Sequence, residues 1–161
     1  MSVSATSQAW DPELCREILE AHRRREGALL PILHAVQDRF GWVPDAAVEL
    51  TAEALNLSRA EVYGVVSFYH DFRDAPPGRH ILKLCRAEAC QSMGADRLAE
   101  HARERLRVGW HETTADGRVT LEPVFCLGLC ACAPTAMLDG KVVGALDATR
   151  LAALIDEARG A

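Results

Sequence analysis

At 161 residues the chain can form one ordinary domain or two small ones, and with 49% apolar residues it can bury a core without disulfide staples. Its formal charge of −5, with no basic stripe, leaves nucleic-acid binding without the positive surface that phosphate neutralisation requires. No apolar run approaches the roughly 20 residues of a membrane helix, and Met1-Ser2-Val3-Ser4-Ala5-Thr6-Ser7 is polar, resembling neither a signal peptide nor an Arg-rich transit peptide. The expectation is a soluble, cytoplasmic protein without membrane insertion.

The first half is predicted to be helical. Asp11-Pro12-Glu13 is a start signal: an N-cap acid, a proline at the first helical position, and an acid favoured by the helix dipole. Leu14, Ile18, Leu19 and His22 then recur at helical spacing until Gly27. Leu29, Leu33, Val36 and Phe40 form the stripe of a second helix that Gly41 ends. Pro44-Asp45 opens a third, running to about Leu55, and Ser58-Arg59-Ala60-Glu61 is a capping box for a fourth with Val62, Val65, Val66 and Tyr69 inward. The aromatic run Phe68-Tyr69-His70-Asp71-Phe72 is read as core at that helix end, and Arg23-Arg24-Arg25 as a solvated helix end.

Ala75-Pro76-Pro77-Gly78 breaks the pattern and marks a boundary, giving a helical domain over 1–75 and a second domain over 79–161. His80-Ile81-Leu82-Lys83-Leu84 reads as a strand delivering Cys85. Gly94 to Arg107 is an amphipathic helix with Leu98, Ala102 and Leu106 inward, and Arg118-Val119-Thr120-Leu121 a second strand leading towards Cys126. Two further strands flank Asp139-Gly140, a strong hairpin signal. Residues 147–159 close the chain as a helix. The predicted fold class is α+β: an N-terminal helical bundle, then a βαβ-ββα order that suits a thioredoxin-like α/β layer.

Six cysteines in a cytosolic protein suggest metal or redox chemistry more than a disulfide framework. Cys85-x4-Cys90 and Cys126-x3-Cys130 lie far apart in sequence, each where a strand gives way to a loop. Four thiolates are what a [2Fe–2S] cluster requires, two for each iron. The segment after Cys90 leads into a helix whose N-terminus would supply N–H donors to such an anionic group, and Gly128 would let amides approach sulfur without a Cβ in the way. Spacing alone leaves open a four-cysteine zinc site that braces a docking module. Thiol–disulfide exchange is disfavoured, since there is no Cys-x-x-Cys. Cys132 and Cys15 are read as packed small residues, and His70 and His111 as helix-end or surface histidines.

Phe40-Gly41-Trp42-Val43-Pro44, Val62-Tyr63-Gly64-Val65-Val66-Ser67-Phe68-Tyr69, and Cys126-Leu127-Gly128-Leu129-Cys130 with Ala133-Pro134 carry a resemblance. The sequence resembles, from about Leu29 onward, the thioredoxin-like [2Fe–2S] subunits: the 24-kDa subunit of respiratory NADH dehydrogenase, its hydrogenase relatives, and the gamma subunit of NAD-dependent formate dehydrogenase. Cys85-Arg86-Ala87-Glu88-Ala89-Cys90-Gln91-Ser92-Met93-Gly94 and Cys126 to Pro134 are most similar to the formate dehydrogenase branch.

That resemblance implies one [2Fe–2S] cluster held by Cys85, Cys90, Cys126 and Cys130 in a non-catalytic electron-transfer subunit. It also implies a partner subunit carrying FMN and the NAD site and, in a formate dehydrogenase, a catalytic subunit with a molybdenum cofactor. The chain itself shows no nucleophile–base pair, phosphate loop or dinucleotide fingerprint.

Overall fold

A computed structural model describes residues 9–160; the polar start from Met1 to Ser7 lies outside them. The chain divides into two compact units, one ending at Pro76 and the other beginning at Pro77. Helices come first and a mixed sheet with further helices follows, an α+β arrangement.

The first unit holds α1 (Pro12–His22), α2 (Leu29–Phe40), α3 (Asp45–Leu55) and α4 (Arg59–Phe68). Each boundary has a local cause. The Asp11 carboxylate accepts the Glu13 N–H at 2.9 Å. Gly41 (φ 85°) and Asn56 (φ 53°) end α2 and α3 in the left-handed conformation that glycine and asparagine tolerate best. Ser58 and Glu61 exchange both bonds of the capping box. Leu19, Ile32, Leu33, Val36, Phe40, Val48 and Val62 form the buried core, with Cys15 fully enclosed among them.

α1 stops at His22 rather than continuing to Gly27, because Arg25 turns back to bond the His22 carbonyl and Gly27 takes φ 64°. The aromatic run is not core as a whole. Phe72 is buried against His34, but α4 ends at Phe68, leaving Phe68 69% and Tyr69 43% exposed. Within α4 only Val62 is buried.

The second unit runs β1 (His80–Cys85), α5 (Glu88–Ser92), α6 (Ala95–Leu106), β2 (Glu112–Thr113), β3 (Val119–Val124), a 3-10 turn at Cys130–Cys132, β4 (Ala136–Leu138), β5 (Lys141–Val143) and α7 (Ala148–Arg159). The sheet order is β2-β3-β1-β4-β5, with β1 and β3 parallel and the other pairs antiparallel. A parallel pair needs a crossover, which α5 and α6 supply. Leu82, Leu84, Val119 and Leu121 share a buried core with Ala99, Ala102 and Leu106 of α6 and Leu151 and Ile155 of α7. Asp139 (φ 48°) and Gly140 (φ 84°) make the tight turn between β4 and β5. The Asp139 carboxylate also accepts the Ile81 N–H at 2.8 Å, tying the hairpin to β1. The short elements α5 and β2 carry too little periodicity to be read from sequence.

Candidate functional site

Parallel pairing sets Cys85 opposite Val124, so β1 and β3 end side by side and Cys126 follows two residues later. The Arg86 N–H donates to the Val124 carbonyl at 2.7 Å, carrying the pairing one step beyond Cys85. On the other flank of β1, the Cys85 N–H donates to the Thr135 carbonyl at 3.0 Å, just before β4 begins. Three segments therefore meet at one end of the sheet: the β1–α5 junction, the loop from Cys126 to Cys130, and Thr135. All four cysteines expected to act together lie on them.

Their environments differ. Cys85 and Cys90 are each only 2% exposed, whereas Cys126 and Cys130 are exposed with their sulfurs 3.6 Å apart. Burial pushes the Cys85 thiol up, but hydrogen bonds from the Ala87 N–H, Cys90, the Thr135 hydroxyl and the Leu127 N–H outweigh it, and its pKa is lowered. For Cys90 burial prevails and the pKa is raised, against the Thr135 hydroxyl and N–H that pull it down. Cys130 is also raised, first by its hydrogen bond with Cys126 and then by the charges of Cys126, Cys90 and Cys85. Leu127, from the second loop, thus reaches a sulfur of the first pair, and Cys130 feels all three other thiols.

The segment after Cys90 leads into α6, whose N-terminus begins at Gly94–Ala95. Cys90 itself lies inside α5, and Ala87, ahead of it, supplies an amide to the Cys85 sulfur. Gly128 does donate its N–H to the Cys126 sulfur at 3.3 Å. A Cβ there would meet no protein atom within 4 Å. What favours glycine is φ 78°. Cys126 itself sits at φ 140°, a conformation that L residues rarely adopt and that costs about 1–3 kcal/mol where the surroundings enforce it.

Cys132 is exposed rather than packed, although its Cβ lies against Gly144. Cys15 is fully buried in the helical unit. His70 and His111 are exposed, and among the described residues no three His, Cys, Asp or Glu side chains converge on a single point. Thr135 is the site residue that sequence reasoning missed. Nothing in its local pattern distinguishes it from any other residue entering a strand. Four thiols in two pairs, with Ala87, Leu127 and Gly128 N–H groups turned towards sulfur, fit an anionic, sulfur-ligated group such as a [2Fe–2S] cluster better than one tetrahedral ion.

Residues 15–159 match the family described as thioredoxin-like [2Fe-2S] ferredoxin. The NADP-reducing hydrogenase subunit HndA of Solidesulfovibrio fructosivorans is 35% identical over 128 residues, covering 80% of this chain and 75% of that one. The NADH-quinone oxidoreductase subunit 2 of Thermus thermophilus is 34% identical over 132 residues, covering 81% and 73%. Among solved structures, an NAD+-reducing [NiFe]-hydrogenase in the H2-reduced state superposes with a TM-score of 0.70 at 28% identity. That match covers 82% of this chain and only 22% of the hydrogenase chain.

Proposed function

The chain belongs to the thioredoxin-like [2Fe–2S] ferredoxin family, and from that premise we propose that it is an electron-transfer subunit holding one [2Fe–2S] cluster through Cys85, Cys90, Cys126 and Cys130. The observation that carries the reading is that two thiol pairs follow the adjacent ends of the parallel strands β1 and β3, with the Leu127 N–H of one loop among the groups that hold the Cys85 pKa down. When bound, the cluster supplies one-electron storage and transfer. The chain's own part is to hold four sulfurs, keep water from Cys85 and Cys90, and place N–H donors against the charge.

The parent complex in this proposal is an NAD-dependent formate dehydrogenase, supported by the resemblance of the segments from Cys85 to Gly94 and from Cys126 to Pro134 to its gamma subunits. The partners would be an FMN- and NAD-binding subunit and a molybdenum-containing catalytic subunit. A second reading, the equivalent subunit of an NADH-quinone oxidoreductase or NAD(P)-reducing hydrogenase, is favoured by the names of the relatives above. Docking is supported by the large apolar side chains that each unit leaves exposed. These are Tyr63, Phe68 and Tyr69 in the helical unit and Met93, Phe125, Leu129 and Val142 in the other. No described helix is long and apolar enough to cross a membrane.

Serine replacement of Cys85, Cys90, Cys126 or Cys130 is expected to abolish or distort the electron paramagnetic resonance signal of the dithionite-reduced protein, while Cys15→Ser and Cys132→Ser keep it. A normal signal from Cys126→Ser, or none from Cys132→Ser, overturns the ligand set. The isolated chain should accept an electron from dithionite and show no turnover with formate or NADH. Co-expressed with its neighbours, it should co-elute with flavin, molybdenum and formate:NAD activity. A flavin complex that lacks molybdenum and oxidises NADH assigns it to the second reading.

A further inference from the structure

We propose that Thr135 sets the reduction potential of the site, its hydroxyl donating a hydrogen bond to the Cys90 sulfur and biasing the buried half of the ligand set towards the reduced state. This inference rests on the cluster reading above and goes beyond it by assigning a role to a residue outside the cysteine set.

Every polar group of Thr135 is turned to one cysteine pair. Its hydroxyl oxygen lies 3.5 Å from the Cys90 sulfur and within hydrogen-bond reach of Cys85. Its N–H bonds Cys90, and its carbonyl accepts the Cys85 N–H at 3.0 Å. The side chain is 2% exposed, where a hydroxyl without a partner would cost about 1–3 kcal/mol. Valine would fill the same space beside β1 without that demand, so the hydroxyl has a use that packing does not supply.

Chemistry then sets the direction of the bond. Between a free thiol and a hydroxyl either atom can donate. A ligating sulfur carries no proton, so Thr135 must be the donor. One added electron, taken from the external reductant with no bond made or broken, increases negative charge on the sulfurs. A fixed donor therefore stabilises the reduced state more than the oxidised one and raises the potential. Cys126 and Cys130, the exposed pair, have no comparable side-chain donor in the hydrogen bonds described. Thr135 thus acts on the buried pair alone.

The test uses the full chain reconstituted with ferrous iron and sulfide and titrated with dithionite under electron paramagnetic resonance. Thr135→Val should keep two irons per chain and lower the reduction equilibrium constant several-fold, up to about tenfold or ~59 mV for one electron. Thr135→Ser, which restores the hydroxyl, should return most of that shift. Thr135→Ala is the second variant should valine prevent assembly, and its potential should fall in the same direction. Unchanged potentials in the valine or alanine variants overturn the proposal, as does a serine variant that matches valine. If serine assembles and both other variants do not, the hydroxyl is needed for assembly and the potential-setting role is overturned. A parent protein with no reducible two-iron signal would instead refute the cluster reading itself.

Discussion

Gly128 offers the sharpest separation between two explanations for a loop glycine. The steric account holds that a Cβ would block the approach of amide to sulfur; the conformational account holds that φ 78° is the constraint. A Cβ built at Gly128 meets no protein atom within 4 Å, so the protein itself imposes no steric constraint there and the backbone conformation is the constraint that remains. Holding an L residue in the left-handed region costs roughly 1–2 kcal/mol, equal to about a 5- to 30-fold change in an equilibrium constant. Asparagine tolerates that region better than alanine, and a β-branched valine tolerates it worst. If the residue escapes to negative φ, the amide turns away from the Cys126 sulfur that it now reaches at 3.3 Å. Cluster assembly from limiting iron and sulfide, followed by visible absorption and iron content, should therefore rank parent first, then Gly128→Asn, Gly128→Ala and Gly128→Val. The alanine deficit should fall in the range above, and circular dichroism of the helical unit should stay unchanged. Equal assembly by the asparagine and valine variants would refute the conformational argument.

Gly144 presents the opposite case, since a Cβ there would lie 2.8 Å from the Cys132 Cβ and 3.1 Å from its carbonyl oxygen. Gly144→Ala should destabilise the second unit by about 1–3 kcal/mol through overpacking, measured by urea unfolding; a cost near zero would mean that the 3-10 turn yields freely. Cys15, buried with its thiol pushed up to about 11 by desolvation, should resist alkylation at pH 8 while the exposed Cys132 reacts. Comparable labelling of both by mass spectrometry would contradict the burial. Because the Cys15 pKa is raised from 9.0 in the folded chain, the unfolded thiol loses its proton first. Stability should therefore decline as pH rises from about 9 towards 11, and Cys15→Ala should flatten that part of the profile.

Features set by neighbours in sequence are legible in the sequence itself. Asp11-Pro12, the Ser58–Glu61 box, Gly41 and Asp139-Gly140 act through contacts within a few residues, so their local chemistry specifies where elements start, end and reverse. The two cysteine pairs were legible for the same reason: each is a short loop with a fixed spacing. The long-range facts came from the tertiary structure. Parallel pairing of β1 with β3 brings Cys85 level with Val124 from 39 positions away in sequence. The antiparallel partner β4 carries Thr135 to Cys90 across a separation of 45. No pattern around Thr135 encodes that meeting, because sheet register is decided by the burial of whole strand faces rather than by one residue's surroundings. Exposure of Phe68 and Tyr69 has a similar origin. Their apolar character predicts burial, but α4 turns only Val62 fully inward, and which face of a helix is covered depends on what the rest of the unit packs against it.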